Sequence, residues 1–148
     1  MIFYPARIQQ ENGRFLVTFR DVLDGSTMGD TSEEAEAKAC QALAYGLSYY
    51  FDRRLETPAP SPAQEGEVWV MVRLIPYLKL VLRNLLVIRE QTLDDLAKAI
   101  GKKGRHIEDI MSMDHATKVE ALEAAFVALG FVIGVDVYPA ERLKTYVK

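Results

Sequence analysis

Along the first twenty residues apolar and polar positions alternate. Ile2, Tyr4, Ala6 and Ile8 interleave with Phe3, Arg7 and Gln9, the period of a half-buried strand. Asn12-Gly13 offers the two positive-φ positions of a tight hairpin turn. Phe15, Val17 and Phe19 resume the alternation, which predicts an antiparallel pair. The short, glycine-flanked stretch Gly25 to Gly29 fits a third, edge-like strand. Thr31-Ser32-Glu33-Glu34 has the spacing of a capping box, a hydroxyl three residues before a carboxylate. From there Ala35, Ala39, Ala42, Leu43, Gly46, Leu47 and Tyr50 line one helical face, whose small residues allow close seating on a sheet. Pro58, Pro60 and Pro62 then block helix continuation. Val68, Val70 and Val72 alternate with Trp69, Met71 and Arg73 in a last strand, so the front half reads β-β-β-α-β.

After Pro76 the period changes to that of helices. Leu78, Val81, Leu82, Leu85 and Leu86 mark one helix. Thr92 opens a second with Leu93, Leu96, Ala97 and Ile100 inward, and Gly101 ends it through a left-handed cap. Ile107, Ile110 and Met111 mark a third, and Lys118 to Leu129 a fourth, stopped by Gly130. A small residue at Ala97, a turn glycine at Gly101 and branched anchors at Ile107 and Ile110 match a helix-turn-helix. Beyond Gly130, Phe131, Ile133, Val135 and Val137 alternate with Val132 and Tyr138, which predicts a strand without a neighbour in its own module. An unpaired edge seeks a partner. Pairing with the same strand of a second copy would give a homodimer, with two recognition helices set about 34 Å apart on a palindrome.

Composition narrows the classes. The chain has 148 residues, 49% hydrophobic and 26% charged, enough for one ample domain or two small ones. We place the boundary between residues 74 and 75. Lys79, Arg83 and Arg89 interrupt the richest apolar stretch, and the first residues lack the order of a signal peptide, so a cytoplasmic protein is expected. The single cysteine, Cys40, excludes an internal disulfide and reads as a core residue. Net charge is −3, which excludes coating of nucleic acid by bulk attraction. Residues 1–76 carry seven basic and eleven acidic side chains, whereas residues 77–131 carry eight of each. An acidic front suits a basic protein partner, and a neutral back half can still carry a local basic patch.

Tyr4-Pro5-Ala6-Arg7-Ile8, Phe15 through Val22, Gly29 through Ala35 and the proline-spaced Pro58-Ala59-Pro60-Ser61 resemble, in order, the HicB antitoxin family. The resemblance implies a partial RNase H-like fold that binds and masks a HicA toxin, a small basic ribonuclease. The family usually reads Asp-(Leu/Ile)-Pro-Gly-Cys before its third strand. Here Asp21-Val22-Leu23-Asp24-Gly25-Ser26 lacks the proline and the cysteine. Met113 through Val119, Ala124-Ala125 and Ala128-Leu129-Gly130 resemble the Cro/repressor-type module at the C-terminus of one HicB branch. The likeness then spans residues 2–137 and implies an α+β chain: an antitoxin in front, an autorepressor behind. It also implies that dimers can pair again through the front units into a tetramer.

In the helix-turn-helix register, Gly104, Arg105, His106, Glu108 and Asp109 face the major groove. Arg105 can bind a guanine edge in two places. Lys102 and Lys103 stand where phosphates pass, and Thr92 at a helix start can donate to one. The family pattern has a branched apolar residue and a small hydroxyl cap where the two lysines stand. Glu108 and Asp109 repel phosphate if they point outward. His106 beside Arg105 reads as a surface residue, and His115 as a hydrogen-bond donor to a helix end. Neither has a second ligand at metal spacing, so no metal and no cofactor are expected.

Three functions remain open: an antitoxin and autorepressor, a stand-alone repressor, and an RNase H-like nuclease. Nuclease chemistry would need carboxylates converging on metal ions. Asp21, Asp24, Asp30 and Glu34 sit in a loop and at a helix start, where acids are favoured anyway, so no catalytic residue is assigned.

Overall fold

The computed structural model describes residues 2–137 and residue 139. It is α+β, with a four-stranded antiparallel sheet and five helices. Strands β1 (Phe3–Glu11) and β2 (Arg14–Phe19) form the expected hairpin, with Ala6 opposite Phe19 and Glu11 opposite Arg14. Asn12 and Gly13 take φ of 50° and 79°, as the tight turn demands. Strand β3 (Thr27–Gly29) lies at one edge beside β2, and β4 (Glu67–Met71) at the other beside β1, in the order β3-β2-β1-β4.

Helix α1 (Ser32–Asp52) covers one face of this sheet. Its start is capped as read: the Thr31 hydroxyl accepts from the Glu34 amide at 3.1 Å. The returning bond is displaced by one residue, because Glu34 accepts from the Asp30 amide at 2.8 Å. Ala35, Ala39, Leu43 and Leu47 pack on Tyr4, Ala6, Val17, Phe19, Val70 and Val72 in a first core, with Cys40 half-buried at its margin. The small residues do what the pattern suggested. A Cβ on Gly46 would stand 2.7 Å from Val22 Cγ1 and 2.8 Å from the Gly25 Cα.

The proline-rich connection between α1 and β4 is strapped to the molecule. Tyr4, fully buried, donates its hydroxyl to the Pro58 carbonyl at 2.5 Å. Burial first, then the nearby Asp21 and Tyr50, push that phenol up to about 12. Asp21 accepts from the Ser61 amide and hydroxyl at 2.9 and 2.7 Å, and Arg20 reaches Ser61, Pro62 and Glu67.

Helix α2 (Leu74–Ile88) begins two residues before Pro76 rather than after it. Proline is tolerated there because first-turn amides have no helical partner. Helices α3 (Leu93–Ala99), α4 (Gly104–Met111) and α5 (Val119–Ala128) follow with the expected inward faces, except that Val119, expected inward with Leu122, Phe126 and Leu129, is exposed at the first turn of α5. Leu82, Leu86, Leu96, Ala97, Ile107, Ile110, Leu122 and Phe126 build a second core. Helix α2 serves both cores, since its Leu80 belongs to the first and Leu78, Leu82 and Leu86 to the second.

The expected tail strand is not an element of this chain. Residues 131–137 carry no ladder, and Tyr138 lies outside the described residues. A strand needs a hydrogen-bonded neighbour, and among the described residues none runs alongside. Instead Phe131 and Ile133 turn onto the second core, while Val132, Val135 and Val137 are 89%, 61% and 90% exposed.

Replacing Gly46 by Ala normally stabilises a helix by up to about 1 kcal/mol. Here the added methyl meets Val22 and the Gly25 backbone, so G46A should instead lower stability by about 1–3 kcal/mol, measured as a fall in the urea midpoint.

Candidate nucleic-acid interface

The second helix-to-helix turn in the back half connects α3 to α4. Helix α3 starts at Thr92, whose amide and hydroxyl donate to Asp95 Oδ2 at 2.8 and 2.7 Å while its oxygen accepts from the Asp95 amide at 3.2 Å. Those bonds, the hydroxyl's first, hold the Asp95 carboxyl below the usual range. Helix α3 ends at Gly101, φ 65°, with the Lys102 amide donating to Ala97 O at 2.9 Å and the Gly101 amide to Lys98 O at 3.2 Å. This double bond pattern is the left-handed termination that glycine permits. Three residues after Gly101 α4 begins, with Lys103 as its flanking residue. A lysine cannot accept a hydrogen bond, and no side chain caps this helix.

Helix α4 has a sharp division of faces. Ile107, Ile110 and Met111 are buried, and Arg105, His106, Glu108 and Asp109 are exposed. With 100° per residue, Arg105 and Asp109 occupy the centre of the outward face and Glu108 its side. Lys102 and Lys103 are exposed at the preceding turn, and Lys98 on the last turn of α3 joins them. Lys98 was not among the residues singled out by the helix-turn-helix register; its exposure beside the turn is a tertiary fact. Gly104 is half-buried, and a Cβ there would stand 3.1 Å from Asp94 Oδ1, so α3's first turn approaches α4's first residue closely.

The seven candidates therefore separate into two groups. Lys102, Lys103, Gly104, Arg105, His106 and Glu108 lie along one continuous stretch at the start of α4. Thr92 lies at the start of α3, its hydroxyl proton already committed to Asp95 and two carboxylates, Asp94 and Asp95, in its first turn. His115 serves through its backbone: its amide donates to the Ser112 carbonyl just after α4, and its own carbonyl accepts from Lys79.

What fixes α4 in place is basic. Lys79, 1% exposed, donates from Nζ to the Ser112 and His115 carbonyls at 2.6 and 2.8 Å. Arg83, 8% exposed, donates from Nη2 to the Met111 carbonyl at 2.6 Å. Burial, and then the neighbouring Arg83, lower the Lys79 ammonium from its usual range. These two cations interrupt the apolar pattern in sequence, and nothing in that pattern signals that they are interior.

The front-half carboxylates are dispersed. Asp21 is held by Ser61, Asp30 pairs with Arg14 at 2.8 Å, and Glu34 pairs with Lys38 at 2.6 Å. Among the described residues no group of three or more metal-ligating side chains gathers, and no helix is long and apolar enough to cross a membrane.

Because the Asp95 carboxyl is lowered in the folded chain, its cap contributes stability above the unfolded value of 3.8. That contribution fades as pH falls from 3.8 through the folded value. The stability difference between the parent chain and D95N should therefore shrink on acidification across that window, read as two melting-temperature profiles converging.

Comparison with known proteins gives a consistent result. Residues 3–81 match the family model described as the HicB-like antitoxin of bacterial toxin–antitoxin systems. The chain is 34% identical over 127 residues to Antitoxin HicB 2 of Photorhabdus laumondii, covering 86% of this chain and 90% of that one. It is also 34% identical over 128 residues to Antitoxin HicB of Escherichia coli, covering 86% and 93%. Antitoxin HicB of Pseudomonas fluorescens is 27% identical over 131 residues, covering 88% and 90%. A family model matched over residues 3–81, with relatives 34% identical across 86% of the chain, makes this chain a member of the HicB-like antitoxin family.

Proposed function

We propose that the chain is an antitoxin with two jobs: its front unit binds and masks a HicA-type toxin, and its back unit represses its own operon. The observation that carries the first job is the family match, which covers the whole sheet and α1 and extends into α2. The front unit is a partial RNase H-like domain in this reading, one that binds rather than cleaves. Of its carboxylates, Asp21, Asp30 and Glu34 are committed to Ser61, Arg14 and Lys38, which favours binding over nuclease chemistry. Its acidic excess suits a basic partner.

The second job rests on α3, the four-residue turn and α4 acting as a helix-turn-helix. Helix α4 presents Arg105 centrally, with Lys102 and Lys103 at its uncapped start, a combination suited to base edges flanked by phosphates. Glu108 and Asp109 on the same face restrict which contacts are favourable, because a carboxylate facing phosphate is repelled. Thr92 is the weakest of the proposed contacts, since its proton is already used.

A homodimer completes the reader. Val132, Val135 and Val137 together with Val127 (64% exposed) and Ile88 (60%) leave apolar surface along the tail, α5 and α2. In our reading a second copy covers it and supplies the ladder partner that the tail lacks. Two such dimers joined through their front units would make the tetramer. A stand-alone repressor without a toxin partner is the second reading, favoured by nothing specific in the front unit.

Growth arrest caused by expressing the small reading frame next to this gene should be relieved by co-expressing this chain. Persistent arrest, with both proteins made and soluble, would remove the antitoxin reading. On its own promoter fragment, R105A should weaken specific binding by about 1–3 kcal/mol and relax sequence preference at one position. A chain ending at Gly130 should sediment as a monomer.

A further inference from the structure

We infer that Arg83 makes the last turn of α1 and the C-terminal end of α4 one mechanical unit, so that whatever displaces Phe51 and Asp52 is felt at the helix carrying Arg105. The guanidinium has two sides and both are engaged. On one, Nη2 donates to the Met111 carbonyl at 2.6 Å. On the other, the group lies over the Phe51 ring at 4.7 Å, with Nη1 at 3.5 Å from the Ser48 carbonyl and 3.9 Å from Asp52 Oδ1. It is 8% exposed, and its Nε has no partner.

A planar guanidinium moves as a rigid plate. Shifting the α1 side therefore either drags the α4 side along or breaks a charged, buried hydrogen bond, and the second course leaves a cation without solvation. Lys79, one turn earlier on α2, holds the next carbonyls, Ser112 and His115, and so denies the end of α4 an easy independent movement. The α1 side is accessible. Phe51 and Asp52 line an open cleft of about 350 Å³ whose opposite wall is Gln91, Thr92 and Leu93, at the cap of α3. A load applied to this turn thus reaches α4 through Arg83 and abuts α3 directly. If the front unit binds a toxin, this joint is a route by which occupancy alters the reading helix; the joint itself depends on neither ligand.

Hydrogen exchange on the full-length chain tests it. The Ser112 amide, which donates to Glu108 O at 2.9 Å, reports the end of α4. Phe51→Leu removes the ring from under Arg83 and leaves an apolar side chain on the second core, against which Phe51 also packs. It should accelerate exchange at Ser112 by about fivefold or more, the equivalent of roughly 1 kcal/mol of lost restraint. Val17→Ala, which opens the front core at β2 away from the last turn of α1, should leave that amide near its parent rate. Equal acceleration by both variants, or none by Phe51→Leu, overturns the proposal. Arg83→Met gives a second arm in urea. Trp69, the only tryptophan, reports the front sheet, and circular dichroism reports mainly the helices. The midpoints should coincide in the parent and separate by about 0.5 M in Arg83→Met. Separated midpoints in the parent would also overturn it.

Discussion

Two cations on α2, four residues apart, sit inside the molecule, and the one carboxylate within 4 Å of either among the described residues is Asp52, 3.9 Å from Arg83. Lys79 and Arg83 should repel each other and resist leaving water. They are tolerated because the groups facing them are backbone carbonyls at the end of α4, where the helix dipole concentrates partial negative charge. Helices α4 and α5 have no basic residue in their own last turns. Helix α2 supplies what they lack: Lys79 and Arg83 to the end of α4, and Arg89 to the Leu129 carbonyl at 2.6 Å at the end of α5. The arrangement of the back half rests on this exchange. Without it, α4 would end in unpaired buried carbonyls.

The same helix carries the argument about how the two halves are joined. Its apolar residues divide between the cores, Leu80 facing α1 and the sheet, Leu82 and Leu86 facing α3, α4 and α5. A conventional linker would let the halves reorient freely. Here the flexible-looking segment, the proline-rich stretch, lies within the front half and is tied down by Tyr4, Asp21 and Arg20. The actual junction, Val72 to Leu74, passes directly from strand to helix with both neighbours packed. Under the proposed double role, such a junction is an advantage, since events on one side are not lost in a hinge.

The candidate interface is less uniform than a basic patch. Cations gather at the turn before α4, while Asp94, Asp95, Glu108 and Asp109 surround them. Indiscriminate attraction to phosphate is thereby reduced, and productive contact requires a particular docking angle. Under the proposed repressor reading, this would let a chain of net charge −3 ignore most of the DNA it meets.

Local rules made much of this molecule readable in advance. The hairpin at Asn12-Gly13, the cap at Thr31, the left-handed stop at Gly101 and the inward faces of α1 to α5 each follow from a few consecutive residues. Backbone preference and side-chain period act over one or two turns and need no knowledge of the remainder. The order of exposed residues along α4 was legible for the same reason. Other features depend on residues 27 to 54 positions apart. Lys79 and Arg83 look like interruptions of an apolar stretch until carbonyls from residues 111 to 115 arrive to accept from them. Thr92 is the local exception: Asp95, only three residues on, takes its proton in a capping box whose spacing is visible in the sequence. The tail looks like a strand, but strand is a relation between two segments, and the described residues offer residues 131–137 no second one. Burial of charge and completion of a ladder are settled by what lies opposite, and that is information no single stretch of sequence contains.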